Sequence, residues 1–450
     1  MERKIPRILL AGVSSGCGKT TVTCSILQAL VNRGMKVGAF KCGPDYIDPM
    51  FHSRIIGAKS SNLDLHFFQE NTLRYLLAKN AADRDISIIE GVMGYYDGMG
   101  LTSTRASSYE VAKVTGSPVV LIVSAKGASL SVLATIQGFL TFCPNSRIRG
   151  VILNQISPMT YSVLSKEIEA RFGIRCFGYL PQMADYTLES RHLGLVTAAE
   201  VENLRAKLQV MAWQAEKTVD LDGLLSLTDL AEPVCCEPVV LPKKEPIRIA
   251  VARDNAFCFY YEDSLDALRE MGAELVEFSP LTDSELPQNV HGLYLGGGYP
   301  ELYAEQLSEN NSMRGAVSAA LKNGLPCIAE CGGFMYLTER IGEYPMVGYL
   351  PGMCFDTGKL TRFGYVMLRA KEDNLLCKAG EEIPGHEFHH WDCTCPGIGF
   401  TAAKSSGKSW DCAVVTDRLY AGYPHFHFYA NPAFLTGFYD TCLKEKHCHD

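Results

Sequence analysis

A glycine-rich segment near the start of the chain has the residue types that hold phosphate groups. It runs from Gly12 to Thr21 and reads Gly-Val-Ser-Ser-Gly-Cys-Gly-Lys-Thr-Thr, between an apolar run and a helical pattern. Bare backbone N–H groups can wrap phosphate oxygens, and the start of the following helix adds positive potential. The strict P-loop pattern has a glycine where Val13 stands, so Gly12 comes one step early. The residues expected to bind a nucleotide are Ser15, Gly16, Gly18, Lys19, Thr20 and Thr21.

Two carboxylates could complete a metal–phosphate site with the Thr20 hydroxyl. Asp45 follows an apolar run, and Glu90 ends the run Ile86–Ile89 and precedes a glycine. Carboxylates at the carboxyl ends of parallel strands point into a ligand crevice, and one or two of them suffice for Mg²⁺. The sequence therefore predicts a Mg²⁺ site formed by Thr20, Asp45 and Glu90. For either acid alone, a solvated loop carboxylate is the alternative.

Two further polar residues are candidates for the same crevice. Asn154 ends the apolar run Gly150–Leu153, where its amide could either read the edge of a purine or simply cap the end of a strand. Asp97 lies between a pair of tyrosines and a glycine, in a segment rich in turn residues.

A second reactive centre is indicated late in the chain. The segment from Pro326 to Phe334 reads as strand, tight turn and helix, with Cys331 at the turn between small residues. This is the pattern of a nucleophile elbow, and a thiol at a helix N-terminus is expected to have a lowered pKa. Upstream, Gly297 and Gly298 follow another strand, and their N–H groups could stabilise an oxyanion.

A cysteine nucleophile needs a histidine that is distant in sequence and near in space. The C-terminal segment offers His425 and His427, and we assign the base to His425. Either histidine could instead be a packed strand residue.

The elements around these residues predict two α/β domains. Short β-branched strands alternate with helical stretches in the first half, as in a parallel sheet with right-handed crossovers. Four prolines and a charged stretch interrupt the pattern, and a strand beginning at Ile247 restarts it. We therefore expect an ATP-binding domain in residues 1–227, a linker in residues 228–246 and a second domain in residues 247–450.

Composition narrows the functional classes. The net charge is −8 and the pI about 5.8, so no basic patch suggests nucleic acid or an anionic membrane as a partner. No apolar run reaches the length of a membrane span. Seventeen scattered cysteines do not suggest a disulfide framework and favour a reducing cytoplasm. The oligomeric state cannot be read, and a homodimer is one option.

The motifs together resemble the triad-type glutamine amidotransferases. The elbow resembles that family's Gly-x-Cys-x-Gly, with Ala329 in place of the first glycine. The family's usual His-x-Glu ending appears here as His425-Phe426-His427, so the orienting glutamate is absent and the third triad role is unassigned. The first half resembles dethiobiotin synthetase, where a P-loop threonine and two acids hold Mg²⁺.

Segments spread over nearly the whole chain resemble the cobyrinate a,c-diamide synthase family. They include Lys41–Pro49, Glu90–Gly94, Gly296–Glu301, Leu360–Tyr365 and Gly385–His389. The resemblance implies amidation of the a and c carboxylates of cobyrinate, a tetrapyrrole, with ATP, Mg²⁺ and L-glutamine. We also expect substrate contacts at Tyr46, Asp97 and Arg362, although a surface arginine without a ligand is the commoner case. Hydrogenobyrinate and nickel-sirohydrochlorin are alternative macrocycles.

Three other interpretations of the sequence stay open. The segment His386–His390 formally fits the His-Glu-x-x-His zinc pattern, but its Pro-Gly and aromatic neighbours favour a strand or loop over the helix that pattern needs. A partitioning-type ATP switch would carry an extra lysine where Ser14 stands. A synthase with an inactive Cys331 centre would use free ammonia.

Overall fold

The chain forms two compact units, Met1–Val239 and Val240–Asp450, in a computed structural model that describes residues 2–100, 102–183 and 198–449. The boundary lies inside the predicted linker. Residues 228–239 nevertheless belong to the first unit, because Val234–Cys235 pairs antiparallel with Glu2–Arg3. Both units are α/β, as the sequence predicts.

The first unit contains nine described strands and eight α-helices. The strands are β1 (Glu2–Arg3), β2 (Arg7–Gly12), β3 (Val37–Cys42), β4 (Lys59–Leu63), β5 (Ile86–Glu90), β6 (Val119–Ser124), β7 (Ile148–Asn154), β8 (Arg175–Leu180) and β9 (Val234–Cys235). The helices are α1 (Lys19–Asn32), α2 (Ile47–Phe51), α3 (Glu70–Asn80), α4 (Ser108–Thr115), α5 (Ser131–Thr141), α6 (Pro158–Phe172), α7 (Ala198–Thr218) and α8 (Leu221–Leu227).

Seven of these strands form one parallel sheet in the order β4-β3-β5-β2-β6-β7-β8. The central strands β2 and β5 are buried at every residue, which explains why they read as continuous apolar runs in the sequence. Because β2 and β5 are neighbours, the phosphate loop after β2 and the carboxylate that ends β5 emerge at the same edge.

The second unit begins with an open sheet and continues into smaller antiparallel sheets. Its described strands are β10 (Ile247–Ala252), β11 (Phe257–Phe259), β12 (Ala273–Phe278), β13 (Gly292–Leu295), β14 (Gly297–Gly298) and β15 (Cys327–Glu330), followed by β16 (Arg340–Ile341), β17 (Tyr344–Pro345), β18 (Met353–Asp356), β19 (Arg362–Ala370), β20 (Glu382–His389), β21 (Trp391–Cys393), β22 (Phe400–Ala403), β23 (Ser409–Cys412), β24 (Val414–Val415), β25 (Leu419–Gly422) and β26 (His425–Phe426). Its helices are α9 (Glu262–Met271), α10 (Ala304–Glu309), α11 (Asn311–Lys322), α12 (Gly332–Leu337) and α13 (Pro432–His449).

The open sheet has the order β12-β10-β13-β15-β25-β24 and is parallel except for β24. A five-stranded antiparallel sheet has the order β23-β22-β19-β20-β26. All 17 cysteines are free thiols. Among the described residues, no helix has both the length and the apolar character of a membrane span.

A fully buried arginine, Arg7, connects several segments of the first unit through hydrogen bonds. The Arg7 guanidinium donates to Ser117 Oγ at 3.1 Å, to the carbonyl of Ile5 at 2.8 Å and to that of Glu232 at 2.7 Å, and it also donates to the carbonyl of Thr115. One side chain therefore satisfies four acceptors from three segments of the chain. Removing it would take this donor from the buried carbonyls of Ile5 and Thr115, at a cost of about 1–3 kcal/mol for each buried group.

Replacing Arg7 by methionine is expected to lower the local free energy of opening of β2 and α4 by about 3 kcal/mol, because the buried carbonyls of Ile5 and Thr115 lose their donor. Native-state hydrogen exchange followed by mass spectrometry should show faster exchange in peptides from these elements, and no change in peptides from β10. The exposed Arg3→Met is the matched control. Equal exchange in the two variants would contradict this account.

Candidate functional site

The phosphate loop is an exposed turn on a buried base. Ser14, Ser15 and Gly16 are exposed, whereas the segment from Cys17 to Lys19 folds back towards the sheet. A Cβ at Gly12 would lie 2.5 Å from Cys17 Sγ and 2.7 Å from Lys19 Cδ, so a glycine is required at the end of β2. This close approach explains the early glycine of the motif.

The loop lysine is held by backbone carbonyls. Lys19 Nζ donates to the carbonyl of Ser14 at 3.0 Å and to the carbonyl of Met93. Burial lowers the pKa of Lys19 below its ordinary value. The ammonium group therefore lies between the phosphate loop and the segment after β5, where it can bind phosphate oxygens.

The threonine of the loop and the acid of β5 meet at the carboxyl edge of the sheet. Thr20 Oγ1 donates to Glu90 Oε1 at 2.8 Å. Gly18, in the left-handed region at φ 89°, starts α1 and directs Thr20 towards β5. Glu90 is fully buried, and Thr21 beside the loop is half-buried.

A buried lysine and histidine compensate the charge of Glu90. Lys41 Nζ lies 3.0 Å from Glu90 Oε1 and also contacts Asp48, while His52 Nε2 lies 3.3 Å from Glu90 Oε2. Burial alone would raise the pKa of Glu90, but Lys41 and His52 hold it below its ordinary value. Burial raises the pKa of Asp48 to about 6, although Lys41 acts against it.

Sequence reasoning did not single out Lys41, Asp48 and His52 as members of this cluster. Strands β3 and β5 are adjacent, and Lys41 lies opposite Glu90 in their register. The alignment of these two strand ends is therefore the signal that could have identified Lys41. Register is a tertiary property, so the sequence pattern alone did not supply it.

Asp45 lies close enough to the Glu90 cluster for its carboxylate to raise the pKa of Lys41 and of Asp48. Its Oδ1 accepts from the backbone N–H groups of Ile47 at 2.8 Å and Asp48 at 3.1 Å, so it orders the start of α2. The structure therefore brings together Thr20 and Glu90 of the predicted metal trio, while Asp45 Oδ1 is engaged by the backbone.

Two other predicted residues also have structural contacts. Asn154 Nδ2 donates to the carbonyl of Cys17 at 3.0 Å, and a Cβ at Gly18 would lie 2.0 Å from this nitrogen. The amide therefore supports the phosphate loop from β7, rather than only capping a strand. Asp97 Oδ2 accepts from the N–H of Gly94 at 2.8 Å. Tyr46 is buried at the start of α2.

In the second unit, Cys331 lies at a strained turn between β15 and α12. Its φ of 48° and ψ of −99° are rare for a residue with a side chain, as expected at a nucleophile elbow. Its N–H donates to the carbonyl of Gly422 at 2.7 Å. A Cβ at Gly333 would lie 2.3 Å from the carbonyl oxygen of Leu295, which explains the glycine two residues after the thiol.

The structure reverses the pKa expected for this thiol. Burial raises the pKa of Cys331, the nearby carboxylate of Glu301 adds to this, and the N–H of Gly332 opposes it only in part. The helix α12 has six residues, so its partial positive charge is small. The side chain is 7 % exposed. Ionisation of Cys331 therefore depends on a base that accepts its proton.

The glycine strand lies beside both the elbow and the candidate base. A Cβ at Gly297 would lie 2.5 Å from Cε1 and 3.4 Å from Nε2 of His425. A Cβ at Gly332 would lie 3.1 Å from the backbone nitrogen of Gly298. The predicted oxyanion donors Gly297 and Gly298 therefore lie close to His425 and to Gly332, the residue after Cys331. The strand β14 is held by antiparallel pairing with β11.

His425 and His427 have different surroundings. His425 Nδ1 lies 3.1 Å from Glu330 Oε2, and its ring stacks against His386 at a centroid distance of 5.1 Å. His427 Nδ1 instead accepts from the N–H of Tyr429 at 3.2 Å and caps a 3-10 turn. The geometry therefore favours His425 as the base of this centre.

Arg362 lies in a separate cluster on the antiparallel sheet. Its guanidinium lies 4.4 Å from the ring centroid of Trp410, and its Nε lies 3.5 Å from Glu387 Oε2. Glu387 also lies 3.0 Å from His389 Nε2 and accepts from Trp410 Nε1 at 3.1 Å. The predicted substrate arginine is thus already paired with a buried carboxylate.

The His-Glu-x-x-His segment lies in a strand up to His389, and His390 follows that strand. Residues 382–389 form β20, which pairs with β19 over eight residues. Among the described residues, no group of three or more metal-binding side chains could hold a metal ion through protein ligands alone.

The position of the imidazole over Gly297 can be tested by filling that space. Gly297→Ala is expected to displace the His425 ring and to slow alkylation of Cys331 by iodoacetamide at least about tenfold, because the thiol loses its base. Peptide-level mass spectrometry separates Cys331 from the other cysteines. Gly315→Ala in α11, where a Cβ would meet no atom within 4 Å, is the control. An unchanged alkylation rate in Gly297→Ala would contradict the geometry.

The chain is similar to known proteins over almost its entire length. Residues 8–196 match the model of the CobQ/CobB/MinD/ParA nucleotide binding domain, and residues 248–433 match that of the CobB/CobQ-like glutamine amidotransferase domain. A protein of Listeria innocua named cobyrinate a,c-diamide synthase is 41% identical over 442 residues, which cover 95% of this chain and 98% of that protein. A protein of the same name from Caldanaerobacter subterraneus is 42% identical over 445 residues, covering 96% and 98%. A third, from Streptococcus sanguinis, is 40% identical over 450 residues, covering 98% and 99%. The chain therefore belongs to the cobyrinate a,c-diamide synthase family.

Proposed function

We propose that this protein uses ATP and glutamine to convert the a and c side-chain carboxylates of cobyrinate into amides, through acyl phosphates. This proposal is supported by the presence of two assembled sites in one chain of this family. One is the phosphate loop with Thr20 against Glu90, and the other is the Cys331 elbow with His425 beside the glycine strand.

The first centre is suited to activating a carboxylate. Lys19, whose ammonium group spans the phosphate loop, would meet the outer phosphates of ATP and stabilise the phosphoryl group during transfer. The substrate carboxylate attacks the terminal phosphorus, ADP leaves, and an acyl phosphate remains. A carboxylate is otherwise unreactive towards ammonia, whereas an acyl phosphate has a good leaving group.

The oxygens of Thr20 and Glu90 fit Mg²⁺. They are hard donors 2.8 Å apart, at the carboxyl edge of the sheet beside the phosphate loop. When bound there, Mg²⁺ would supply charge neutralisation for the phosphate oxygens. We propose Asp45 as an indirect contributor that orders the start of α2.

The second centre is suited to releasing ammonia from glutamine. The sulfur of Cys331 attacks the side-chain amide carbon, and His425 takes the thiol proton and passes it to the departing nitrogen. The N–H groups of Gly297 and Gly298 would stabilise the oxyanion. Water then hydrolyses the thioester to glutamate, and the ammonia displaces phosphate from the acyl phosphate.

Two of the predicted substrate contacts lie in the first unit. Tyr46 and Asp97 flank the segments that follow β3 and β5, and we propose them as contacts to the macrocycle. In the second unit we propose that Arg362 attracts an acidic substrate while it is paired with Glu387. Cytoplasmic synthesis fits the 17 free thiols.

Separate loss of the two activities would test this proposal. Lys19→Met is expected to lower amide formation at least about 100-fold with either glutamine or ammonium as donor, because the phosphoryl group loses a fixed charge. Cys331→Ser is expected to lower only the glutamine-dependent rate, by about 10³-fold or more, and to leave the ammonium-dependent rate within about threefold. Liquid chromatography with mass spectrometry measures the mono- and diamide products, and ADP release is followed in parallel.

Two exposed positions provide matched controls for this pair of variants. Lys36→Met in the first unit and Cys395→Ser in the second should retain both activities. Normal amidation by Lys19→Met would remove the ATP step from the proposal. A wild-type protein that uses ammonium but never glutamine would show that the Cys331 centre is inactive. Supplying cobyrinate, hydrogenobyrinate and nickel-sirohydrochlorin side by side identifies the macrocycle, and diamide formed from either of the latter two alone would overturn the choice of cobyrinate.

A further inference from the structure

The glutamine centre lacks a carboxylate at the sequence position where related amidotransferases carry one. His427 stands two residues after His425, and its Nδ1 caps the turn at Tyr429. We propose that Glu330, the residue directly before the nucleophile, is the positioning residue that takes this third role. The inference rests on the glutamine chemistry proposed above.

The geometry supports this assignment at the base. Glu330 Oε2 lies 3.1 Å from Nδ1 of His425, a hydrogen-bond distance. Glu330 is 1 % exposed and His425 is 3 % exposed, so water does not screen the pair. Among the described residues, Glu330 takes part in one ion pair, and that pair is with His425. This contact on Nδ1 leaves Nε2, the nitrogen beside Gly297, to exchange a proton with the thiol.

The carboxylate itself is fixed by a second contact. The hydroxyl of Tyr294 donates to Glu330 Oε1 at 2.8 Å. Tyr294 lies on β13, next to β15, and burial raises its pKa well above the ordinary value, so the hydroxyl keeps its proton and acts as the donor. Each carboxylate oxygen therefore has one partner, and the carboxylate is held with one oxygen towards the imidazole.

The strand pairing explains how a residue beside the nucleophile can reach the base. Glu330 is the last residue of β15, and in register it lies opposite Gly422 of β25. The chain leaves β25 and, three residues later, enters β26 with His425. The strained backbone at Cys331 then turns the sulfur away from the direction of the strand. One short segment can thereby supply both the nucleophile and the group that orients its base.

A second buried glutamate could be considered for the same role, but its contacts lie elsewhere. Glu387 contacts His389 Nε2, Trp410 Nε1 and Arg362 on the antiparallel sheet. It is therefore paired with a different histidine. The two glutamates can be distinguished by the same substitution at each position.

A carboxylate on Nδ1 acts in two ways on a base. It holds the imidazole in the tautomer whose Nε2 can accept a proton, and it stabilises the imidazolium that forms as the thiol is deprotonated. The second effect is important here, because burial raises the pKa of Cys331 and proton transfer is correspondingly costly.

The test is the pH dependence of glutamine hydrolysis in Glu330→Gln, Glu330→Asp and Glu387→Gln. Glu330→Gln is expected to lower kcat about 10²–10⁴-fold, with the KM for glutamine within about threefold. The acid limb of its kcat/KM profile is expected to move to lower pH, because loss of the negative charge disfavours the protonated imidazole. Glu330→Asp keeps the charge and is expected to recover at least about tenfold of the lost kcat.

Amidation with ammonium provides the internal control for folding and should be unchanged in Glu330→Gln. Glu445→Gln, which alters another buried, ion-paired glutamate of the same unit, should retain normal kcat. If Glu330→Gln does not fold, Tyr294→Phe removes one anchor of the carboxylate and should lower kcat about three- to tenfold. A normal kcat and pH profile in Glu330→Gln, or the full set of changes in Glu387→Gln instead, would overturn the assignment. Absence of glutaminase activity in the wild-type protein would overturn the proposed function itself.

Discussion

Burial of charged side chains at the carboxyl ends of parallel strands constrains both halves of this protein. A buried carboxylate without a compensating partner is strongly destabilising, so each must be placed beside a cation or a donor. In the first unit, Glu90 at the end of β5 has Lys41 at 3.0 Å and Thr20 at 2.8 Å. In the second, Glu330 at the end of β15 has His425 at 3.1 Å and Tyr294 at 2.8 Å. Glu90 and Glu330 therefore each belong to the buried fold and, in the proposed mechanism, also to a reactive centre.

The regular elements could be predicted from the sequence because parallel strands buried on both faces are continuous apolar runs. The predicted strand Ile86–Ile89 is one residue shorter than β5, and the strand expected to begin at Ile247 is β10. The short strands after β15 were less accessible, since their sheets mix buried and exposed positions without a steady period. The strand β20 was an exception, because the Pro-Gly pair before its histidines argued against a helix.

The site was predictable where one short segment carries the chemistry and unpredictable where two segments must meet. The phosphate loop and the elbow each lie within ten residues, so residue types and spacing identified them. The contact between His425 and Glu330 joins residues 95 positions apart and depends on the register of β15 with β25. The same limit applies to Lys41 and Glu90. The hydrogen bonds that Asp45 accepts from backbone N–H groups could not be predicted either, because the residue pattern does not show them.

The raised pKa of Cys331 changes how the thiol centre is understood. A thiolate stabilised by a helix terminus would be reactive at all times, and it would be exposed to oxidants and stray electrophiles. Here the helix is short, and burial together with nearby carboxylates raises the pKa of Cys331. In the proposed mechanism the nucleophile forms when His425 accepts the proton, and the carboxylate of Glu330 on the far side of the ring would make that transfer less costly. The reactivity of the sulfur would then be controlled by the imidazole and its partner, so a buried thiol could serve as a nucleophile.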